Sequence, residues 1–147
     1  MRAVIQRVSE AKVIVNNETI GQINTGLLVY LGVGRDDGLK DAEFIADKLV
    51  NLRIFPDEEG KMNLSVLDVG GAILLVSNFT LHGNCRKGRR PGFDEAAEPE
   101  IANQLYEKTI EQVANLGVLV EKGAFGEHMH ISSINDGPVT FLLDSRQ

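Results

Sequence analysis

Two polar segments of the chain hold the residues best suited to chemistry, and the first is Ser77-Asn78-Phe79-Thr80-Leu81. It follows directly on the apolar run Ala72–Val76, which predicts a buried strand. Unpaired amides and hydroxyls meet solvent where such a strand ends, so strand ends are common positions for sites. No Ser-His-Asp pattern lies nearby to activate Ser77 or Thr80 as a strong nucleophile. A strand that ends in polar residues without a further role is the alternative.

The second segment is Asn135-Asp136-Gly137-Pro138-Val139-Thr140, near the carboxyl end. It separates two runs typical of strands, so the Asp-Gly step predicts a strand–turn–strand. Pro138 cannot donate to a sheet ladder, so it must open its strand, lie at an edge or occupy a bulge. Gly137 and Pro138 could hold two carbonyl oxygens in an orientation that a regular strand does not offer, and a cis peptide bond is one way to do this. A Gly-Pro turn with no further role is the alternative.

A basic segment supplies the clearest signal for anion binding. Arg86, Lys87, Arg89 and Arg90 are four of the fifteen basic residues of the chain, and they occupy five consecutive positions around Gly88. The chain as a whole carries a net charge of −6, which argues against a general nucleic-acid coat because phosphate binding relies on Lys and Arg. The segment predicts either a local phosphate site or a solvated loop.

Histidine and cysteine residues allow a metal-dependent alternative. His82, Cys85, His128 and His130 are the candidate ligands, and His128 and His130 would share one face of a strand. The paired spacing typical of zinc sites is missing, so we expect neither a metal nor another cofactor.

Length and composition predict one cytoplasmic domain that covers residues 1–147. Hydrophobic residues make up 43% of the chain and charged residues 24%, both ordinary for a globular domain. Cys85 is the only cysteine, so no internal disulfide can form. No apolar run approaches the roughly 20 residues of a membrane helix, and the first residues lack a signal-peptide layout.

The pattern of elements predicts an α/β domain with a mixed, mainly antiparallel sheet that curls toward a barrel. Short apolar or β-branched runs predict strands at Ala3–Val8, Lys12–Val15, Leu27–Leu31, Ala72–Val76, Val118–Glu121 and Met129–Leu143. Asn16-Asn17 predicts a two-residue turn. Helical spacing predicts a first helix through Ala42, Ile45, Ala46 and Leu49, capped by Asp36 or Asp37. A second helix is expected from Pro99 to Gly117, with Ala102, Leu105, Thr109 and Val113 along one side.

Taken together, these segments resemble the D-aminoacyl-tRNA deacylases, formerly D-tyrosyl-tRNA deacylases. The resemblance runs from Met1–Val8 through Asn51–Phe55 and Lys61–Ser65 to Asn135–Thr140, which is essentially the whole chain. The family signature Asn-x-Gly-Pro-Val-Thr is matched fully. In the signature Ser-Gln-x-Thr-Leu this chain has Asn78 where the family usually has glutamine.

The resemblance implies a homodimer whose active site lies at the subunit boundary. It implies that Gly137-Pro138 is cis and reaches into the partner's site, where its carbonyls would hold the substrate's α-ammonium group. The neighbouring Asn135, Val139 and Thr140 belong to the same substrate-binding motif. The catalytic stretch would be Ser77, Asn78, Phe79 and Thr80, with backbone contacts around the terminal adenosine and the ester. Arg86, Lys87, Arg89 and Arg90 resemble the family's basic loop and would bind tRNA phosphates.

The implied reaction is hydrolysis of the ester of D-aminoacyl-tRNA to free amino acid and tRNA. The ester is already activated by its ammonium group and the ribose hydroxyl, so positioning and oxyanion hydrogen bonds could supply most of the acceleration. We therefore expect water to attack with help from the ribose 2′-hydroxyl. Thr80 as a covalent nucleophile, a metal-dependent hydrolase and a non-catalytic RNA-binding module are the alternatives.

Chiral selection is expected to work by steric exclusion. The D and L esters carry the same groups, so only the direction of the side chain distinguishes them. Rigid carbonyls at Gly137 and Pro138 would block the L direction, and glycyl-tRNA would then be hydrolysed as well.

Overall fold

A computed structural model describes residues 1–147 and places the two ends of the chain side by side. The strands and helices in chain order are β1 (Arg2–Val15), β2 (Glu18–Ile23), β3 (Gly26–Gly32), α1 (Leu39–Asn51), β4 (Phe55–Pro56), β5 (Met62–Leu64), β6 (Ala72–Ser77), α2 (Pro99–Asn115), β7 (Leu119–Lys122) and β8 (His130–Asp144). A short 3₁₀ helix, Phe79–His82, follows β6. Strands β4 and β5 form a separate two-stranded sheet.

The main sheet is built on both edges of β1. One edge pairs with β8 in antiparallel fashion from Arg2 to Ile14. Along the other edge, the first half of β1 pairs with β3 and the second half of β1 pairs with β2, and both pairings are antiparallel. Strands β3, β6 and β7 continue the sheet in parallel pairs.

The sheet curls until β2 lies against β7. A Cβ atom at Gly21 in β2 would stand 2.6 Å from the carbonyl oxygen of Lys122 in β7, so only glycine permits this approach. Val8, Val13, Leu28 and Leu74 are among the buried side chains of the smaller core cluster. The predicted mixed sheet, curled toward a barrel in a single α/β domain, is confirmed.

The two α-helices pack against each other and against the larger core cluster of 22 buried residues. Helix α1 buries the predicted Ala42, Ile45, Ala46 and Leu49. Helix α2 buries the predicted Ala102, Leu105, Thr109 and Val113, and its first residue is Pro99. Gly117 lies just beyond α2 with φ +98°, a conformation that favours glycine after a helix. Neither helix combines the length and the hydrophobicity that a membrane crossing requires.

The predicted cap of α1 is wrong. The N-cap residue is Gly38, and the Asp41 carboxylate accepts a 2.9 Å hydrogen bond from the Gly38 N–H. Asp37 turns away from the helix because it pairs with the amino-terminal ammonium at 2.8 Å and accepts from the Gly34 N–H at 2.5 Å. Sequence spacing could not find this arrangement, because the ammonium group belongs to Met1, far from Asp37 in sequence.

Two predictions about strands also need correction. The runs Ala3–Val8 and Lys12–Val15 belong to the single strand β1, whereas the Asn16-Asn17 turn is confirmed, with φ values of 49° and 64°. The predicted strand–turn–strand around Asp136-Gly137 is one strand, β8. Both halves of β8 pair with β1, and this long-range pairing overrides the local turn signal of Asp-Gly.

Candidate active site

The first polar segment begins at the carboxyl end of β6, next to the end of the neighbouring strand β3. Ser77 is the last residue of β6, and the Asn78 N–H donates to the Leu31 carbonyl of β3 at 2.8 Å. The chain then enters the 3₁₀ helix that contains Phe79 and Thr80. A Cβ atom at Gly32 would stand 2.9 Å from the Asn78 carbonyl oxygen, so the glycine at the end of β3 lets the segment dock closely.

Asn78 caps the short helix with its side chain. Its Oδ1 atom accepts a hydrogen bond from the Thr80 N–H at 3.3 Å, and the Thr80 hydroxyl donates to the same oxygen. An amide oxygen cannot serve as a general base, so this contact does not activate Thr80 as a nucleophile. The departure from the usual glutamine therefore has a local structural role at the start of the 3₁₀ helix.

A cavity of about 760 Å³ opens beside this segment. Ser77, Asn78, Phe79 and Thr80 form part of its wall, so the structure brings all four predicted catalytic residues to one cavity. The rest of the wall is largely apolar and includes Tyr30, Val33, Phe93, Ala97, Tyr106, Phe125, Met129 and Ile131. Glu98, Glu127 and His128 add polar groups to the lining.

Two aromatic side chains of this wall were not found from the sequence. Tyr106 of α2 is buried and donates from its hydroxyl to the Leu75 carbonyl of β6 at 2.7 Å. Burial raises the pKa of Tyr106, so the phenol stays neutral. Phe125 packs against it with ring centroids 5.9 Å apart. The packing of α2 on the sheet brings Tyr106 to the cavity, and the segment after β7 brings Phe125. No local motif marks either residue.

The Gly137–Pro138 peptide bond is cis, as the resemblance implies. In the β1–β8 ladder, Gln6 pairs with Thr140 and Val8 pairs with Asn135. The four residues 136–139 of β8 therefore lie opposite the single residue Arg7 of β1 and form a bulge in the ladder. Gly137 and Pro138 are exposed, and neither lines the cavity of its own chain. Within one chain, the two signature segments therefore do not form a common site.

Side chains from both strands hold the bulge in place. The Asn135 amide donates to the carbonyls of Arg7 and Val139, each at 3.0 Å. The Arg7 guanidinium donates to the Asp136 carbonyl at 3.0 Å and to the Ile54 carbonyl at 2.7 Å. Arg7 thus joins the bulge to the segment that follows α1. Sequence reasoning missed Arg7, because 129 positions separate it from Asp136.

The basic segment forms a loop closed at its base. Asn84 and Gly92 exchange two backbone hydrogen bonds, of 2.8 and 2.9 Å. Arg86, Lys87, Arg89 and Arg90 are exposed, and none of them forms an ion pair within the chain. Gly88 has φ +68° at the centre of the loop, where glycine is favoured. The loop therefore presents four free cations to solvent.

The candidate metal ligands do not converge. His82 is buried with its Nε2 atom unpartnered, whereas Cys85 lies in the exposed loop. His128 and His130 form an edge-to-face pair with ring centroids 5.0 Å apart. The chain contains no group of three or more His, Cys, Asp or Glu side chains arranged to hold a metal ion.

Comparison with known proteins gives a consistent result. The family described as D-Tyr-tRNA(Tyr) deacylase matches residues 4–144. A D-aminoacyl-tRNA deacylase of Thermosipho africanus (strain TCF52B) is 58% identical over 147 residues, which covers this whole chain and 99% of the relative. Its counterpart in Clostridioides difficile (strain 630) is 59% identical over 145 residues, or 99% of this chain and 97% of the relative.

Two solved structures are also similar. A c-Myc DNA unwinding element binding protein superposes with a TM-score of 0.93 at 41% identity, covering 98% of both chains. A structure described as a probable eukaryotic D-amino acid tRNA deacylase has a TM-score of 0.82 at 19% identity over 97% of both chains, which supports the fold alone.

The fold, the cavity and these relatives define the class of protein as a hydrolytic enzyme of the deacylase type. The chain belongs to the D-Tyr-tRNA(Tyr) deacylase family. The family prediction made from the sequence is confirmed.

Proposed function

We propose that the enzyme hydrolyses the ester bond of D-aminoacyl-tRNA and releases the free D-amino acid and tRNA. The observation that carries this proposal is the Ser77–Thr80 segment, which forms a polar edge on an otherwise apolar cavity of about 760 Å³. Such a cavity has room for a nucleoside and its ester, since ligand pockets typically measure about 300–1,000 Å³. The family and the curated relatives support the same reaction. An enzyme acting on aminoacyl-tRNA would work in the cytoplasm, where translation takes place.

The cavity suits the 3′-terminal adenosine of tRNA. Aromatic and apolar side chains such as Phe125 and Met129 offer surfaces on which a purine can stack. The ribose and the ester would then lie against Ser77, Asn78 and Thr80. At the start of the 3₁₀ helix the Asn78 side chain accepts from the Thr80 N–H, whereas the Phe79 N–H has no partner within the helix or its cap. An N–H group of this kind suits a developing oxyanion.

Hydrolysis follows without a protein nucleophile. A water molecule attacks the ester carbonyl carbon, and the bond from that carbon to the ribose 3′-oxygen breaks. The adjacent 2′-hydroxyl assists proton transfer from the water to the leaving oxygen. Thr80 remains in its contact with Asn78, so its task is to shape the segment and orient the ester.

The Gly137-Pro138 bulge is proposed to act in the site of a second copy of the chain. It is exposed and does not line its own cavity, while Asn135 and Arg7 fix its position from behind. Strand β8 also exposes the apolar side chains of Ile134 (54%), Phe141 (40%) and Leu142 (84%), which a second copy of the chain could cover. The Gly137 and Pro138 carbonyls would accept hydrogen bonds from the substrate's α-ammonium group, with Asn135, Val139 and Thr140 supporting them.

Steric exclusion would give this site its chirality. With the ammonium group and the ester fixed, an L side chain points into the Gly137-Pro138 carbonyls, whereas a D side chain points away from them. Glycine has no side chain to clash, so glycyl-tRNA would be a further substrate.

The loop with Arg86, Lys87, Arg89 and Arg90 would bind phosphates of the tRNA acceptor arm. Its four unpaired cations form a local basic surface on a chain of net charge −6. Phosphate contacts of this kind position the nucleic acid and carry no sequence information.

A turnover assay tests the proposed function. With enzyme far below substrate and after exhaustive chelation, D-tyrosyl-tRNA should be hydrolysed over many turnovers and L-tyrosyl-tRNA should be spared. Thr80→Val removes the hydroxyl and should keep at least about a tenth of the rate, because loss of a covalent nucleophile costs far more. Loss of activity on chelation would favour a metal-dependent hydrolase, and binding without turnover would favour an RNA-binding module.

A further inference from the structure

Two exposed phenylalanines stand together at the cavity. Phe79 of the 3₁₀ helix is 58% exposed and Phe93 is 39% exposed, although both line the cavity. Their rings meet edge to face with centroids 5.0 Å apart and an interplanar angle of 67°. The exposed faces of the two rings leave apolar area in water, which a bound ligand would cover.

The position of Phe93 is fixed by the base of the basic loop. Phe93 directly follows Gly92, whose backbone pairs with Asn84 to close that loop. On its other side, the Phe93 ring packs over Gly83, where a Cβ atom would stand 3.1 Å from the ring carbon Cε1. The ring therefore rests on the backbone of Gly83, next to the ring of Phe79.

The aromatic pair also connects two surfaces that the proposed function uses. Phe79 belongs to the Ser77–Thr80 segment, which lines the cavity proposed for the terminal nucleoside and its ester. Phe93 continues into the loop with Arg86, Lys87, Arg89 and Arg90, all unpaired and exposed. Phe93 thus lies both on the cavity wall and at the base of the loop that carries these cations. Proteins that bind single strands combine these same features, a basic track and aromatic side chains on which bases stack.

We propose that Phe79 and Phe93 form a stacking platform for the base of the penultimate nucleotide of the tRNA 3′ end. This inference rests on the proposed function, since it takes the terminal nucleoside to occupy the cavity. The platform binds through the face of an aromatic ring and reads no sequence. It anchors the flexible end of the substrate so that the ester stays against Ser77–Thr80, and the basic loop then holds the phosphates behind it.

Small ester substrates separate the platform from the cavity. We would compare D-tyrosyl esters of adenosine, of the dinucleotide CpA, and of the same dinucleotide with an abasic site in place of cytosine. Base–aromatic stacking is worth roughly 5- to 150-fold in affinity per base. The CpA ester should therefore have a kcat/KM at least about 5-fold above that of the abasic ester, which keeps the phosphate and lacks the base.

Variants of Phe93 provide the matched comparison. Phe93→Leu keeps an apolar side chain without an aromatic face and should remove most of the advantage of CpA over the abasic ester. Phe93→Tyr keeps the ring and should retain that advantage. The readout is the ratio of kcat/KM for the CpA ester to kcat/KM for the abasic ester. A general loss of activity or of folded protein lowers both values equally and leaves this ratio unchanged.

Equal kcat/KM values for the CpA and abasic esters with the unmodified enzyme would overturn the platform. The same conclusion follows if Phe93→Leu leaves the ratio unchanged. Hydrolysis of none of the three esters, nor of D-tyrosyl-tRNA, would instead overturn the proposed function on which the platform rests.

Discussion

At the scale of single residues, the site uses side chains mainly to position backbone. Asn78 illustrates this role, because its oxygen accepts from both the N–H and the hydroxyl of Thr80. Neither residue has a base within its hydrogen-bond network. In the structure, the contacts between Asn78 and Thr80 therefore serve to cap the 3₁₀ helix.

A first prediction concerns Asn78, the departure from the usual family signature. If backbone atoms carry the function here, Asn78→Gln should change kcat by less than about threefold, because the longer amide can still cap the helix or bond through water. Steady-state kinetics on D-tyrosyl-tRNA measure this. A gain of tenfold or more would show that the glutamine side chain itself takes part and that this enzyme is a weakened member of its family.

His82 gives a prediction about acid stability. Burial lowers the pKa of His82, with Arg2 and the amino-terminal ammonium acting in the same direction and the Gly32 backbone and Asp37 opposing it. The unfolded chain, with a histidine pKa of about 6.5, then binds a proton that the folded chain resists. The free energy of unfolding should fall as pH drops from about 6.5 and level off below the folded pKa.

Urea unfolding of the wild type and of His82→Gln between pH 7.5 and 5 measures this contribution. The difference between their free energies of unfolding should become smaller toward pH 5, by at most about 1.4 kcal/mol per pH unit. A difference that stays constant with pH would show that His82 keeps its ordinary pKa in the folded enzyme.

At the scale of elements, the bulge of β8 shows what the sequence could and could not reveal. Pro138 correctly predicted an interruption of the ladder, because proline has no N–H to donate. The interruption became a four-residue bulge and not a hairpin turn, since both flanking runs pair with the same strand, β1. Alternation of apolar residues identifies a strand but does not identify its partner, and the contacts of Arg7 with Asp136 and Ile54 depend on that partner.

The basic loop is the element whose role is easiest to measure. Replacing Arg89 and Arg90 by glutamine should weaken binding of D-aminoacyl-tRNA and reduce the slope of log K against log salt by roughly 1.5, for two lost phosphate contacts. Lys40→Gln with Lys61→Gln removes the same charge from other exposed positions and should leave the slope nearly unchanged. Equal slopes for the loop variant and the wild type would mean that the loop is only solvated.

At the scale of the whole molecule, the fold followed from sequence more fully than the site did. Two kinds of pattern specify buried faces: the apolar runs Leu27–Leu31 and Ala72–Val76, and the helical spacing in α1 and α2. In the fold, the curled sheet and the two helices bury these faces against each other. The site depends on surfaces that lie far apart in sequence. Tyr106 and Phe125 reach the cavity only through packing, and the Gly137-Pro138 bulge lies outside the cavity of its own chain.

In the proposed mechanism, chirality is selected by exclusion at the Gly137 and Pro138 carbonyls. Overpacking a rigid site by one methyl group typically costs about 1–3 kcal/mol, so L-alanyl-tRNA should be hydrolysed roughly 5- to 150-fold more slowly than glycyl-tRNA. Pro138→Ala should narrow that gap, because it loosens the carbonyls that create the clash.

Deacylation of D-tyrosyl-, L-tyrosyl-, glycyl- and L-alanyl-tRNA by one enzyme preparation tests this claim most directly. Exclusion predicts rapid hydrolysis of the D-tyrosyl and glycyl esters and hydrolysis of both L esters at least about fivefold more slowly than the glycyl ester. Full resistance of the glycyl ester would contradict exclusion and would require a pocket that recognises a D side chain.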